Sequence, residues 1–379
     1  MNRVVNHRTH SKRIGYARPA GEIPEIPMPS PRRRRRLLTA AIAFVAVVAS
    51  QFLVQVPTYA TLMYDQGGFA ARYGQDGSLQ LFNIQFHTGS PSQLYHYYSP
   101  DGSTLYWENM NVGLPIGESG FASAINYGSS LQVFFKSGGA LVRKYYNAGS
   151  WTTETITGSG VNSSPATATD GSTMHTAYVT TSGAVVDRWN SGGGWSSQTV
   201  FVSGCSGSRT PAMGNFNGQL HILARCYGSW AHFWKDPGGS WNNELLGQST
   251  FPGSGDIALS TGGGEFDVVG NATDGTLWRW WYVDGVGWRE QQIVNAGATG
   301  RIQVGWFYGS LHVAWSSGTN VHNSWINGSS WSDQSLTCLG SCSQADAVAL
   351  GTSYFLVSTD NPYSRWRWTP SGGWLRFDN

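Results

Sequence analysis

The chain has 379 residues and a formal charge of +2, but its charge is unevenly distributed. Ten of the 24 basic residues and two of the 22 acidic residues lie within residues 1–60, which leaves 14 basic and 20 acidic residues, a formal charge of −6, on residues 61–379. This acidic balance argues against nucleic-acid binding, because that function requires a basic surface on the folded domain. We therefore expect no nucleic-acid partner.

The N-terminal 60 residues have the composition of a targeting segment. Residues 1–36 form a basic leader that ends in five arginines; we expect it to be disordered or cytoplasmic, and Met28 is an alternative start to Met1. Residues 37–60 combine an uncharged apolar run, 37–56, with small residues at its end, which predicts a signal peptide and cleavage site. The alternative is a transmembrane anchor. Either way, we expect residues 61–379 to be secreted or displayed on the extracytoplasmic surface, with membrane contact only through residues 37–56.

An aromatic repeat occupies residues 61–379. A tryptophan recurs at spacings of 44, 44, 46, 47, 43 and 43 residues, in six of seven cases after a glycine or serine. The positions are Trp107, Trp151, Trp195, Trp241, Trp288, Trp331 and Trp374. Another aromatic residue precedes each of them, at Tyr98, Tyr146, Trp189, Trp234, Trp281, Trp325 and Trp368. A short apolar run such as "LHVA" from Leu311 comes earlier in each unit.

This repeat predicts an all-β fold. Units of 40–45 residues with glycine-rich turns are typical of four-stranded propeller blades. Seven units predict a seven-bladed β-propeller of four-stranded antiparallel blades, with the ring closed by N- and C-terminal strands that share a blade. The first strand of each unit is rich in small residues, so we expect it to lie at the crowded central channel. The turn tryptophans are expected to pack between neighbouring blades.

Four cysteines in the repeat region predict two disulfides, since an even number in an exported chain favours pairing over free thiols. Cys205 precedes the first strand of one unit, and Cys226 lies at the turn between the second and third strands of that same unit. Both loops fall on one face of an up-and-down blade, so we predict the pair Cys205–Cys226. The remaining pair, Cys338–Cys342, lies within a single loop. A metal site is disfavoured because the two pairs fall in distant units.

Polar side chains repeat beside the third-strand aromatics. Two positions before most of these aromatics stand His96, Lys144, Asp187, His232, Arg279 and Asn323, with Trp366 in the last unit. The second strands add Gln80, Gln132, His175, His221, Asp267 and His312. Residues i and i+2 share a strand face, so each unit sets a hydrogen-bonding group beside an aromatic ring. These residues are either ordinary core residues or the walls of sugar sites between blades, where a ring stacks on the sugar and the polar group binds its hydroxyls.

The candidate sugar-binding residues are Tyr98 with His96, Trp189 with Asp187, Trp234 with His232, Trp281 with Arg279, and Trp325 with Asn323. Trp278 and Trp280 flank Arg279 and are peculiar to the fifth unit, so they join the candidates. No nucleophile elbow, phosphate loop or zinc-protease motif occurs, and the acidic residues are scattered. We expect no catalytic residues, no cofactor and no metal.

The repeat resembles that of the seven-bladed bacterial propeller lectins of the Photorhabdus lectin type and, more distantly, the fungal fucose-binding propeller lectins. The segments "DGTLWRWWYVDGVGW" and "SLQVFFKSGGALVRKYYNAGSW" carry the resemblance, which covers residues 67–379. His96 and His232 match the family's third-strand histidine, whereas Lys144, Asp187, Arg279, Asn323 and Trp366 depart from it.

This resemblance implies a lectin that binds glycans or glycoconjugates, with fucose or O-methylated sugars at interblade sites. It leaves the oligomeric state open. The alternatives are a non-catalytic surface scaffold that binds protein through a propeller face and, less favoured, a glycan hydrolase or lyase.

Overall fold

The computed structural model describes residues 69–376, with short gaps between strands of which 247–256 is the longest. The predicted leader and the signal or anchor segment, residues 1–60, lie outside the described residues, as does Cys342. Within the described part every regular element is a β-strand, so the all-β prediction is confirmed there. No helix in this part has the length and apolar character needed to cross a membrane.

The described strands form four-stranded antiparallel sheets, A to G, each built from four strands consecutive in sequence. Sheets A to D comprise β1 to β16: Phe69–Tyr73, Leu79–Gln85, Pro91–Ser99 and Tyr106–Ile116; Ser123–Tyr127, Ser130–Ser137, Ala140–Asn147 and Ser150–Thr157; Ala166–Thr169, Met174–Val179, Val185–Asn190 and Trp195–Phe201; Ala212–Phe216, Gln219–Cys226, Ser229–Lys235 and Trp241–Leu245. Sheets E to G comprise β17 to β28: Ile257–Ser260, Phe266–Asn271, Leu277–Val283 and Gly287–Val294; Ile302–Phe307, Ser310–Ser317, Asn320–Asn327 and Ser330–Thr337; Ala345–Leu350, Ser353–Ser358, Ser364–Thr369 and Gly373–Arg376.

Tight turns set the register of these hairpins. Asn217 and Gly218, with φ of 51° and 79°, connect β13 to β14. Two successive residues with positive φ are the mark of a type I′ turn, whose twist matches that of the flanking strands. The turn therefore fixes which residues stand opposite each other, and so which side chains share a sheet face.

The first strands of the sheets are the innermost ones. Each contacts the first strand of the next sheet, from β1 against β5 to β21 against β25, and β1 also contacts β25. Small residues permit this approach, as predicted: an added Cβ on Gly214 of β13 would lie 2.5 Å from Leu259 Cδ2 of β17. The arrangement is propeller-like. The described strands include no sheet that combines the two chain ends, in contrast to the expected shared blade; β1 and β25 meet as members of separate sheets, because each sheet is completed by strands local in sequence.

The core consists of apolar layers between neighbouring sheets. Phe82 of sheet A lies in one layer with Phe135 of sheet B. Trp280 of sheet E lies in another with Leu223 of sheet D. Replacing a buried aromatic of this kind by alanine costs about 3–5 kcal/mol. These layers fix the relative position of adjacent sheets, and hence the shape of each interface between them.

A disulfide joins Cys205 to Cys226, as predicted. Cys338 is also disulfide-bonded; its predicted partner, Cys342, lies outside the described residues.

Candidate interblade binding clefts

A cleft of about 640 Å³ lies between sheets A and B. His96 and Tyr98 of β3 line it together with Glu108 of β4. The Glu108 Oε1 atom lies 2.7 Å from His96 Nδ1 and accepts the indole N–H of Trp151, from sheet B, at 3.0 Å. The His96 ring stacks on Tyr98 with centroids 5.3 Å apart. One carboxylate thus orients the histidine and bonds to the neighbouring sheet.

The same arrangement recurs in a cleft of about 300 Å³ between sheets D and E. Here Glu244 Oε1 lies 2.9 Å from His232 Nδ1 and accepts the indole N–H of Trp288, from sheet E, at 3.0 Å. His232 stacks on Trp234 at 5.0 Å and bonds through Nε2 to His221 Nδ1 at 2.9 Å. The second-strand, third-strand and fourth-strand polar residues therefore form one connected chain.

A third cleft, of about 250 Å³, lies between sheets F and G and uses amides in place of charged groups. His312 Nδ1 lies 3.2 Å from Asn323 Oδ1, and Trp325 forms the aromatic wall. Gln334 Oε1 accepts the indole N–H of Trp374, from sheet G, at 2.8 Å. The geometry of the first two clefts is kept while the carboxylate is replaced by a neutral oxygen.

Strand register explains why the three clefts match. The fourth-strand acceptor stands opposite the third-strand polar residue in each sheet, as in the pair His232 and Glu244 and the pair Asn323 and Gln334. Each cleft therefore offers an aromatic face beside fixed hydrogen-bonding groups. This combination suits a ligand with an apolar ring face and several hydroxyls.

The charge states of the clefts follow from these contacts. The hydrogen bond with His96 holds the pKa of Glu108 below its usual value, and the bond with His232 does the same for the pKa of Glu244. Burial lowers the pKa of His312 to about 4, and burial together with His232 lowers the pKa of His221 to about 3. At neutral pH the two carboxylates are therefore ionised, and these two second-strand histidines are neutral.

Among the described residues, no cleft of the three is lined by more than one carboxylate. Glycoside hydrolysis ordinarily uses two carboxyl groups on either side of the scissile bond. The described part of the chain also holds no cluster of three or more His, Cys, Asp or Glu side chains placed to bind a metal ion.

At three other interfaces a positively charged side chain of the protein lies over the third-strand aromatic residue, here called the wall aromatic. Arg279 lies over Trp281 at 4.4 Å, and Lys235 Nζ lies 5.7 Å from the centre of Trp189. Arg279 also donates from Nε to Asp267 Oδ1 at 2.6 Å and is almost fully buried. Asp187 is buried as well and accepts from His175 Nδ1 at 3.1 Å. Of the sequence candidates, then, Arg279, Trp281, Asp187 and Trp189 lie at interfaces of this second kind.

Unit two is displaced by one residue from the sequence alignment. Arg143 and Tyr145 occupy the positions of His96 and Tyr98, since Arg143 stands opposite Glu154 in register. Lys144 points to the other face, where its ammonium donates to the backbone oxygen of Met110 in sheet A. The sequence alignment, which matched Lys144 and Tyr146 to His96 and Tyr98, is therefore wrong, because unit two has two adjacent tyrosines and the register gives the position of Tyr98 to the first of them, Tyr145.

Unit seven shows the same displacement. Trp368 stands opposite Trp374 and lines the cleft between sheets F and G, and Trp366 is buried against the Phe307 layer of sheet F. Both side chains face the preceding sheet. The alignment of Trp366 and Trp368 with His96 and Tyr98 is therefore wrong, and Arg367 has the register position of Tyr98.

The tryptophans peculiar to unit five do not form one site with Arg279. Trp280 is 2% exposed and lies in the apolar layer between sheets D and E. Trp278 packs on the same layer and donates its indole N–H to Thr276 Oγ1 at 2.6 Å. Arg279 faces the opposite side of β19, as strand alternation requires. The expectation that Trp278, Trp280 and Arg279 act together is therefore wrong.

The turn tryptophans mostly lie between sheets, as expected, but they also act as donors. Trp195 donates to Glu154 Oε1 at 3.1 Å, in the same way as Trp151, Trp288 and Trp374 donate to their acceptors. Trp107 is the exception, at 66% exposure. Within its own unit, Glu108 comes one residue after the turn tryptophan Trp107. The other acceptors come three residues after the turn tryptophan of their own unit.

Sequence reasoning missed the fourth-strand acceptors Glu108, Glu244 and Gln334. A signal was present: a Glu or Gln stands three residues after five of the turn tryptophans, at Glu154, Gln198, Glu244, Gln291 and Gln334.

The chain matches no protein-family model and no curated protein sequence. Among solved structures it shares its fold with the BP39L lectin of Burkholderia pseudomallei, with a TM-score of 0.67 and 18% identity over 83% of this chain and 99% of that chain. AofleA of Arthrobotrys oligospora matches with a TM-score of 0.53 and 12% identity, over 74% and 89% of the two chains. A prolyl endopeptidase matches with a TM-score of 0.52 and 12% identity, over 87% of this chain and 53% of that chain. Identities this low show a common fold alone, and the fold is one that a bacterial lectin has.

Proposed function

We propose that this protein is a glycan-binding lectin whose sites lie in clefts between neighbouring sheets. The observation that carries the proposal is that the three clefts share one arrangement: an aromatic wall, a polar third-strand residue, and a fourth-strand oxygen tied to the next sheet by an indole N–H. Sugars fit such a site because their C–H faces stack on aromatic rings while their hydroxyls need fixed donors and acceptors.

The fold and the clefts support binding without catalysis. The fold is shared with the BP39L lectin, and at most one carboxylate lines each of the three clefts described here. The resemblance of the repeat to propeller lectins favours fucose or O-methylated sugars as ligands. Repeated weak sites gain strength on a multivalent surface without any new contact.

We further propose that sheets A to G are the seven blades of one closed ring. Contacts between successive first strands, completed by β1 against β25, support this closure. We also propose that residues 61–379 act outside the cytoplasm, after cleavage of residues 37–60 or while anchored by residues 37–56. The disulfide between Cys205 and Cys226 suits an oxidising compartment.

A glycan array probed with the full chain tests the proposed function. We expect binding to glycans that carry fucose or O-methylated residues. A folded protein that binds no glycan on the array would overturn the proposal and would favour the scaffold alternative. Release of a sugar from any array glycan would instead favour a hydrolase.

A further inference from the structure

The three clefts and the three interfaces with a cation over the wall aromatic differ at one position. That position lies on the wall that the following sheet contributes. This position, here called the facing residue, belongs to the third strand of the following sheet and stands opposite its turn tryptophan in register. The facing residues are Tyr146 for interface A/B, Asn190 for B/C, Lys235 for C/D, Tyr282 for D/E, Ile326 for E/F and Trp368 for F/G.

An aromatic facing residue occurs at each of the three clefts. Tyr146 lines the A/B cleft, Tyr282 lines the D/E cleft and Trp368 lines the F/G cleft. Each of these clefts therefore has an aromatic ring on both walls, one from each sheet. A ring-shaped ligand can contact aromatic carbon on its two sides only at such a site.

At the other three interfaces the facing residue is not aromatic, and a cation of the chain covers the first wall. The guanidinium of Arg143 lies 4.4 Å from the centre of Tyr145, and that of Arg279 lies 4.4 Å from Trp281. Lys235 is itself the facing residue at C/D; its ammonium lies 5.7 Å from Trp189 and 5.9 Å from Trp241. A cation over an aromatic face is held there by the ring quadrupole.

The cations at B/C and C/D are further restrained by polar partners. Arg143 forms an ion pair with Glu154, whose other oxygen accepts the indole N–H of Trp195 at 3.1 Å. Lys235 Nζ donates to Gln198 Oε1 at 3.4 Å. The fourth-strand acceptor thus bonds to a histidine at A/B and D/E, whereas at B/C and C/D it bonds to a cation of the chain.

We propose that, among the six described interfaces, sugar binding is confined to A/B, D/E and F/G, and that the facing aromatic residue selects them. Interfaces B/C, C/D and E/F are closed by an internal cation that takes the place of a sugar against the wall aromatic. This inference rests on the proposed function, since it concerns where that function resides.

Calorimetric titration with methyl α-L-fucoside, or with the methyl glycoside of the best array sugar if fucoside gives no heat, tests the inference on the full chain. Tyr146→Ala is the main variant because Tyr146 is 43% exposed and its loss leaves the apolar layers intact. We expect the number of bound sugars to fall by one. Tyr282→Ala should remove another site. The matched control is Asn190→Ala, at the same position of a closed interface, which should leave the number unchanged.

The outcomes separate the two proposals. No heat with any sugar overturns the proposed function, and this inference with it. Binding in which Asn190→Ala lowers the number of sites, or in which Tyr146→Ala and Tyr282→Ala leave it unchanged in folded protein, overturns the inference while the lectin function stands. Unaltered thermal unfolding of each variant confirms that a lost site is not a lost fold.

Discussion

Trp288 of sheet E donates its indole N–H to the Glu244 carboxylate of sheet D across 3.0 Å, and the same oxygen lies 2.9 Å from His232 Nδ1. One oxygen therefore links two sheets and fixes the orientation of an imidazole in the cleft between them. The hydrogen bonds also keep the pKa of Glu244 low, so the acceptor stays ionised at neutral pH.

The first prediction concerns this link. Glu244→Ala removes the acceptor of both His232 and Trp288, and we expect the free energy of unfolding to fall by about 1–2 kcal/mol. Urea unfolding followed by tryptophan fluorescence measures the change. Glu290, exposed on β20, is the matched control; its replacement by alanine should change stability by less than about 0.5 kcal/mol. Equal effects of the two substitutions would contradict the cross-sheet role.

The second prediction separates a wall aromatic from a core aromatic. Trp234 lines the D/E cleft, and we expect Trp234→Ala to weaken sugar binding there by at least about tenfold, equal to 1.4 kcal/mol. Trp280 lies in the adjacent apolar layer, and Trp280→Ala should cost about 3–5 kcal/mol of stability. Titration and urea unfolding of both variants decide the matter. If Trp234→Ala unfolds the protein as readily as Trp280→Ala does, Trp234 is a core residue.

The third prediction is a loss of stability in acid that depends on His312. Its pKa is about 4 in the folded protein and near 6.5 when unfolded, because burial disfavours the charged ring. Between these values the unfolded chain takes up a proton that the folded chain does not. The stability contributed by neutral His312 is therefore complete above pH 6.5 and declines as the pH falls towards 4, by up to about 3 kcal/mol.

Urea unfolding at pH 7 and pH 4.5 checks this dependence. His312→Gln should lose less stability between the two pH values than the unmodified chain does. An identical loss in both proteins would show that other groups, such as His221, account for the acid sensitivity.

The fourth prediction concerns the disulfide between Cys205 and Cys226, which are 21 residues apart. Replacing both by alanine releases this loop in the unfolded state, so we expect stability to fall by about 3 kcal/mol. Val202, 75% exposed just before this loop, provides a control; Val202→Ala should have an effect below about 0.5 kcal/mol. Unchanged unfolding of the double variant would contradict a stabilising role for the bond.

Much of the fold could be predicted from the sequence, because turn residues and aromatic spacing carry it directly. The pairing of Cys205 with Cys226 followed from the order of strands alone. Gly214 of β13 leaves no space for a Cβ beside Leu259 of β17, and the small residues of such first strands are visible in the sequence.

The site was harder to predict, because successive side chains of a strand point to opposite faces of the sheet. An alignment error of one residue therefore assigns a side chain to the wrong face. In units two and seven an aromatic residue follows the wall position directly, so the aromatic pattern selects Tyr146 instead of Tyr145 and Trp368 instead of Arg367. Lys144 is thereby aligned in place of Arg143. The acceptors Glu108 and Glu244 lie on outer strands whose polar pattern is indistinct. Their role depends on a tryptophan of another unit, a contact that no local pattern contains.

A crystal structure of the full chain with the best array glycan tests the central claim most directly. We expect sugar density in the A/B, D/E and F/G clefts, with the sugar ring against Tyr98, Trp234 and Trp325. Sugar bound only on an outer strand or a disc face, with these three clefts empty, would contradict it.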